Sequence, residues 1–354
     1  MKTSFVVVLA LFAGRAYAEE LVEPVGAADG EALHGDVLVW ADATFYTDTS
    51  DSAQMVHAAR LAGTRKDHLG DVIAMRVVSA GKDGFVEVEP AAQLDCTWAR
   101  LETSDDLTRV RLFVKRADLA PVLTQPFEHA FEDGTRIALR PGVAVIATVD
   151  ERFVVGVRGA AIVTALPAAS IGHAYTPDHV KAAPTVLERD YELAPNTRIT
   201  LGDQAIKLDG SHASQIERRG AATLFSIRTR CAALDVSVAT KAVREIEDAD
   251  EDGDDSSSGL SVLSLRDHDY IPAGTVLAST TGHAIAVAAK PMYLPGSPHG
   301  KTACVERRMI VGVVGGEALD ADGEDGRLRV CAPAASVVHE RLRSASSANG
   351  TTMR

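Results

Sequence analysis

The chain reads as an all-β protein with short 3-10 turns and little helix. Three observations lead there. Val-, Ile- and Thr-rich runs of five to eight residues alternate with Gly, Asp and Pro from Asp36 onward. Helical periodicity is scarce, and Ser52 to Leu61 is one short candidate. The step Pro-Ala-Ala closes three strand-like runs, at Pro90, Pro167 and Pro333.

The runs before that step have a common order. Before Pro90 the sequence predicts strand Val72–Ser79, a Gly81-Lys82-Asp83-Gly84 turn and strand Phe85–Glu89, with glycine supplying the positive φ of a tight hairpin. Before Pro167, "RFVVGVRGAAIVTAL" gives two runs broken at Gly159, and before Pro333 a similar pair carries an acidic tip at Asp320–Asp325. A fourth copy, "LFSIRTRCAALDVSV", has Cys231 in place of the proline. Upstream, Gly134-Thr135 with Gly142 and Gly274-Thr275 with Gly282 repeat at identical spacing, and "NTRITL" (Asn196–Leu201) is a third, partial copy. Such matching order predicts internal repetition. Each copy reads as a hairpin, a strand ended by proline, one turn of 3-10 helix, and a residue (Leu94, Ile171, Leu234 or Val337) that returns to the core.

This order resembles the end of an SH3-like barrel. The first copy is similar to a bacterial SH3 domain, with "VLVWADATFYTDTSD" as opening strand and loop and "MRVVSAGKDGFVEVE" as central hairpin. The resemblance implies several small SH3-like barrels in tandem, and ligand grooves lined by aromatics. In that stretch the available aromatics are Trp40, Phe45, Tyr46 and Trp98, which become candidate binding residues together with the loops around Trp40 to Ser52 and the variable hairpin tips. "YIPAGTVL" (Tyr270–Leu277) resembles the SAF-type β-clip more weakly. The expected organisation is a signal peptide over 1–18, a flexible leader over 19–34, modules over 35–120, 121–183, 184–244 and 260–343, an acidic linker over 245–259 and a disordered tail over 344–354.

Composition narrows the function classes. The chain has 354 residues and a formal net charge of −13, with no strip of Lys and Arg that could displace counterions, which argues against nucleic acid. Lys2, the apolar run Phe5–Ala13 and Ala16-Tyr17-Ala18 form a secretory address with cleavage expected before Glu19. The apolar run is shorter than the roughly 20 residues that span a bilayer, so the mature chain is expected to be exported, periplasmic or extracellular, and not inserted in a membrane. Four cysteines allow three disulfide pairings. Cys304–Cys331 is favoured because the two are close in sequence and flank two predicted strands. That leaves Cys96–Cys231, with free buried thiols as the alternative.

Candidate chemistry is sparse. Asp248, Asp250, Asp252 and Asp254 fall in an EF-hand-like register, but Asp255 stands where an apolar residue belongs and Gly259 where a bidentate Glu is needed. A solvated anionic spacer accounts for them. "LDCTW" (Leu94–Trp98) resembles the Asp-Cys-Ser-Gly nucleophile of NlpC/P60 peptidases, yet Thr97-Trp98 replaces Ser-Gly and no amphipathic helix follows. His129 lies in no recognisable context, and His173 with His179 is a thin metal pair. Phosphate loops, Rossmann fingerprints and zinc-peptidase helices are missing, so no cofactor is expected. The expectation is a non-catalytic exported protein that recognises a protein or an envelope polymer. The rivals are an envelope hydrolase using Cys96 and a structural subunit of a periplasmic or surface assembly.

Overall fold

The computed structural model describes residues 21–57, 72–80, 83–91, 99–157, 160–177, 191–194, 197–206, 212–213, 215–228, 231–245, 268–298, 300–313 and 326–340. The fold is nearly all β, with several separate sheets and short 3-10 turns, and among the described residues no helix reaches seven residues. Among the described residues no helix is long and apolar enough to cross a membrane. Residues 1–18, expected to be a signal peptide, together with Cys96, Trp98, His179, the stretch 246–259 with its four aspartates and the acidic tip 320–325, and residues 344–354 lie outside the described residues.

Among the described residues one closure occurs four times. A strand runs into a three-residue 3-10 turn, and the strand that leaves the turn pairs antiparallel with a strand that opened the segment. The turns are Arg116–Asp118, Ala168–Ser170, Thr240–Ala242 and Ala334–Ser336. The residue before each turn is extended, with φ between −55° and −70°. The N–H after the turn donates back to the first turn carbonyl. The opening and closing strands are Asp36–Trp40 with Leu119–Ala120, Val122–Leu123 with Ile171–Gly172, Tyr191–Leu193 with Val243–Glu245, and His268–Ile271 with Val338–Glu340. We call these closed segments units one to four.

Two of the four turns lie where the Pro-Ala-Ala step predicts them. In both, the serine that ends the turn returns its hydroxyl to the proline carbonyl, Ser170 at 2.6 Å and Ser336 at 2.7 Å. Pro90 ends strand Phe85–Pro90, the turn and the Leu94 expected after it lie outside the described residues, and unit one closes through a turn that follows Lys115. After Cys231 the expected 3-10 turn does not form. Ala232–Ala239 is one continuous strand with Leu234 in its middle, and the turn follows Ala239. Of the helical candidate Ser52–Leu61, Met55–His57 is instead a strand paired with Thr44–Tyr46, and residues 58–61 lie outside the described ones.

Most strands bury one face, Asp36–Trp40 is buried on both, and the cores are not one per unit. A first cluster joins unit one (Val39, Phe45, Met75, Val88) to unit four (Ile271, Leu277, Val305, Leu328). A second joins unit two (Leu123, Leu139, Val155) to unit three (Leu201, Phe225, Val236). Backbone ladders cross the same boundaries. Strand Thr302–Val313 of unit four pairs with Ala99–Thr103 of unit one. Strand Arg136–Leu139 of unit two pairs with Ala232–Ala239 of unit three, on which Thr200 of unit three's own strand Ile199–Leu201 also pairs with Ser237. A third cluster packs unit one on unit two, through residues such as Leu38, Ala74, Ala120, Val122 and Ala144.

Two glutamine side chains seal the paired units. Gln204 of unit three donates to the Val163 carbonyl at 2.7 Å and accepts from the Val163 N–H at 3.0 Å. Its carboxamide thus stands in for a neighbouring strand along the edge Ala160–Thr164 of unit two. Gln54 of unit one does the same for unit four, donating to the Arg327 carbonyl at 2.7 Å and accepting from the Arg329 N–H at 3.1 Å. An edge strand presents unpaired peptide groups, and each clamp satisfies one set.

The segment expected to be a loose leader is bonded along residues 21–34. Val22 exchanges backbone bonds with Thr148 of unit two, at 2.9 and 3.0 Å. Ala27 N–H donates to Arg116 O at 3.0 Å, and Ala27 and Leu33 are buried. We refer to it as the strap.

Replacing Gln204 with Leu removes both partners of Val163 and leaves two peptide groups partly desolvated. The expected loss is about 1–3 kcal/mol, read by urea denaturation, with the Val163 amide exchanging hydrogen faster than its neighbours.

Candidate ligand-binding face

The candidate site lies on unit one, where three elements meet. Strands Val72–Ser79 and Phe85–Pro90 form the central hairpin, with a bulge that shifts the register between Val77 and Ser79. The hairpin tip bends through Asp83 (φ 55°) and Gly84 (φ 79°), both left-handed. Asp tolerates that region better than most residues and Gly enters it freely. The strap crosses beside the tip, and the 3-10 turn at Arg116–Asp118 lies beneath.

These elements enclose a hollow of about 480 Å³ lined by Asp29, Gly30, Ala80, Asp83, Gly84, Phe85 and Arg116. That is within the usual range for small-ligand clefts. Arg116 is 7% exposed. Its Nη1 donates to the carbonyls of Ala28 at 3.0 Å and Glu31 at 2.9 Å, fastening the strap to the turn. Gly26 permits the same crossing, since a Cβ there would sit 2.4 Å from the Ala117 carbonyl oxygen. His173 holds the strap from unit two, with Nδ1 3.0 Å from the Glu31 carboxylate and Nε2 2.9 Å from the Val25 carbonyl. That imidazole is therefore engaged as a fastener, in place of the metal role considered with His179.

Phe85 also belongs to the outer face of the sheet. Its ring meets Tyr46 edge-on at 5.2 Å, and Lys115 Nζ stands 5.6 Å from the centre of the Tyr46 ring. Met55 lies directly opposite Tyr46 on the next strand and is 59% exposed. An aromatic pair, a cation and an exposed thioether thus adjoin a hollow bearing two carboxylates. Such a combination offers apolar contact and charge recognition together.

Of the aromatics expected to bind, Tyr46 sits on this face, and Trp98 lies outside the described residues. Phe45 is fully buried in the core shared with unit four, and Trp40 is buried where unit one meets unit two. Strand alternation explains the split: Phe45 and Tyr46 are neighbours, so one points inward and the other outward. Asp83 lies at a hairpin tip of the kind expected to carry recognition, whereas Phe85, Lys115 and Arg116 are not evident as site residues from the sequence. The one usable signal is the outward phase of Phe85 beside the inward Val86.

The loop after Tyr46 does not project as a recognition loop; it is fastened to unit four. Thr281 Oγ1 donates to Asp48 Oδ2, the Ser279 and Thr281 hydroxyls are 2.6 Å apart, and Ser50 N–H donates to Asp48 Oδ1 at 2.7 Å. Partial burial opposes the charged Asp48, but hydrogen bonds from Ser50 and Thr281 and the field of His283 outweigh it, and its carboxyl titrates below the usual range. Asp, Ser and His meet here without forming a nucleophile site. His283 Nε2 is buried with no hydrogen-bond partner, so it is not aimed as a base at either hydroxyl. The cluster joins two units.

Among the described residues no group of three His, Cys, Asp or Glu could hold a metal ion. Cys304 and Cys331 face each other across strands Thr302–Val313 and Arg327–Pro333 in a disulfide, with Cα atoms 4.0 Å apart. Cys231 is also disulfide-bonded, and the expected pairing with Cys96 falls on a residue outside the described ones. His129 lies among the rings of Phe127 and Phe131. No protein-family model matches the chain, and no curated protein or solved structure matches it.

Two outcomes follow from this geometry. Because the folded carboxyl of Asp48 is depressed, its contribution to stability is present above its unfolded pKa, about 4, and is lost as pH falls through the folded value. The stability difference between the native chain and Asp48→Asn, followed by urea unfolding at stepped pH, should therefore shrink below about pH 4. Gly26→Ala forces the strap off the turn at a cost of about 1–3 kcal/mol. The Ala27 amide, which donates to Arg116 O, should then lose hydrogen-exchange protection.

Proposed function

We propose that this is an exported, non-catalytic binding protein built from SH3-like β modules, and that unit one recognises an extended protein segment pairing a basic side chain with an aromatic one. The secretory pattern at Lys2 to Ala18 supports export, and the Cys304–Cys331 disulfide fits an oxidising compartment. The single observation that carries the recognition reading is Phe85, which lines the acidic hollow and also packs against Tyr46. A basic side chain entering the hollow meets Asp29 and Asp83, while Arg116 is already bonded to strap carbonyls. The next apolar residue of such a segment rests on Tyr46 and Met55. The chain's net charge of −13 attracts a basic partner at long range.

The test is an immobilised peptide array sampling Lys and Arg beside Phe, Tyr and Trp, probed with the mature chain, with isolated envelope polymer as a second probe. Basic–aromatic peptides should be retained, and Tyr46→Ala and Asp83→Asn should each weaken retention about tenfold or more. Asn keeps the left-handed backbone open at position 83, so that variant isolates the charge. Failure to retain any peptide, or retention indifferent to both substitutions, overturns the reading. Retention on the polymer alone moves the ligand out of the protein class.

A further inference from the structure

Two of the four closures carry one further repeat. Pro167-Ala168-Ala169-Ser170 and Pro333-Ala334-Ala335-Ser336 are each followed, at the same distance, by a histidine: His173 and His339. In unit four that histidine meets a carboxylate of its own unit. His339 stands opposite Asp269 on the opening strand, with Nδ1 2.5 Å from Oδ1. In unit two the register, continued by one step, places Pro121 opposite His173, and proline has no group to offer. The carboxylate comes from the strap instead: it is Glu31, with both oxygens 3.0 Å from His173 Nδ1. The bond that unit four makes within itself, unit two makes to the strap.

The two histidines differ in what they must donate. For His339 the carboxylate is met by a neutral ring with its proton on Nδ1. His173 lies between two acceptors, because its Nε2 is also 2.9 Å from the Val25 carbonyl. A neutral imidazole has one N–H, so its other nitrogen would turn a lone pair toward an oxygen. The ring is only 15% exposed, and little water reaches it to relieve that clash. Both contacts are made with one more proton, held on the ring or shared with the Glu31 carboxyl. The other charged groups on the surrounding elements are Glu23, Asp29 and His34 on the strap, Arg116 and Asp118 on the turn, and Asp36 on the opening strand of unit one. Among the described residues the imidazole is bonded to Glu31 and Val25 alone. Arg116 holds the Glu31 carbonyl, and Asp36 is held by Arg76 Nε at 3.1 Å.

We propose that the strap is a proton-operated latch on the hollow of unit one: proton uptake at the His173–Glu31 pair fastens it, and proton loss loosens it. Two lining residues of the hollow, Asp29 and Gly30, ride on the strap between Val25 and Glu31, the two residues that His173 holds. Loosening the latch therefore loosens one wall of the hollow. Arg116 keeps its two strap carbonyls at every pH, so the strap shifts without coming away. Histidine is the side chain that ordinarily changes charge between pH 5 and 8. The latch stabilises the strap at the acid end of that range, and its contribution is lost as pH rises through it. The control of binding rests on the reading of unit one as a ligand face; the latch itself does not.

Amide hydrogen exchange of the mature chain at about pH 5.5 and about pH 8, each corrected for the intrinsic rate at that pH, tests it. The Ala27 and Ala28 amides, bonded to Arg116 O and to the Glu31 carboxylate, should lose about tenfold in protection at the higher pH. Those of strand Ala222–Arg228 in unit three should hold theirs. Glu31→Gln should keep the strap fastened at both values, because a carboxamide NH2 donates to a neutral Nδ1 while Nε2–H donates to the Val25 carbonyl. His173→Phe should leave it loose at both. Urea melts establish that each variant folds, and if His173→Phe does not, the native chain and Glu31→Gln still decide. Binding is read with a labelled peptide carrying Lys beside Trp. Its affinity for the native chain should fall about tenfold from the lower pH to the higher, and for Glu31→Gln it should not. Strap protection indifferent to pH, protection shifting equally in Glu31→Gln, or a peptide bound equally at both values would overturn the proposal. A strap that switches while no peptide binds at either value upholds the latch and removes the ligand reading instead.

Discussion

Everything in this fold depends on the antiparallel pair made after each 3-10 turn. The turn is short and carries no side-chain cap at its start, so its geometry rests on an extended residue before it and one backbone bond across it. Its effect is on phase. The first residue beyond the turn, Leu119, Ile171, Val243 or Val337, packs into or against a core. The next must then face outward, because strand side chains alternate. A three-residue device thereby fixes which residues each unit shows to its surroundings.

That fixed phase lets similar units be used differently. Units one and two turn apolar stripes toward each other, unit three shows charge, and unit four shows tyrosines. The inner faces are merged in pairs, so no unit owns a complete core. Buried polar links follow the same boundaries. Thr135 of unit two is fully buried and accepts from the Gly202 N–H of unit three at 2.7 Å, tying together the starts and ends of strands that share one partner. Surface and interior are therefore both settled at the level of pairs.

The sequence makes the class of fold plain because period-two alternation and turn glycines are local. Gly134, Gly142, Gly274 and Gly282 all adopt positive φ, as their repeated spacing suggests. Two of the four closures escape a search for proline because the position needs only φ near −65°, which Lys115 and Ala239 reach unaided. Pairing between units is not legible at all. Strands Arg136–Leu139 and Val276–Ala278 follow similar Gly-Thr steps, yet the first pairs into the sheet of another unit and the second within its own. The candidate face is half legible: alternation separates Tyr46 from Phe45, but nothing local brings Arg116 or the strap to Phe85. Trp40 looks like a recognition residue in a reading of unit one alone, and becomes interior once unit two is placed.

The merged first core has a consequence for how the molecule comes into being. Its two halves come from opposite ends of the polypeptide, and the ladder between Ala99–Thr103 and Thr302–Val313 joins residues some two hundred positions apart. A nascent chain growing from its N-terminus must keep that half-finished interior from sticking to its neighbours until the last strands arrive. Assembly of units two and three needs no such delay, because their contributions adjoin in sequence. The core of units two and three therefore closes shorter loops of chain than the first core does.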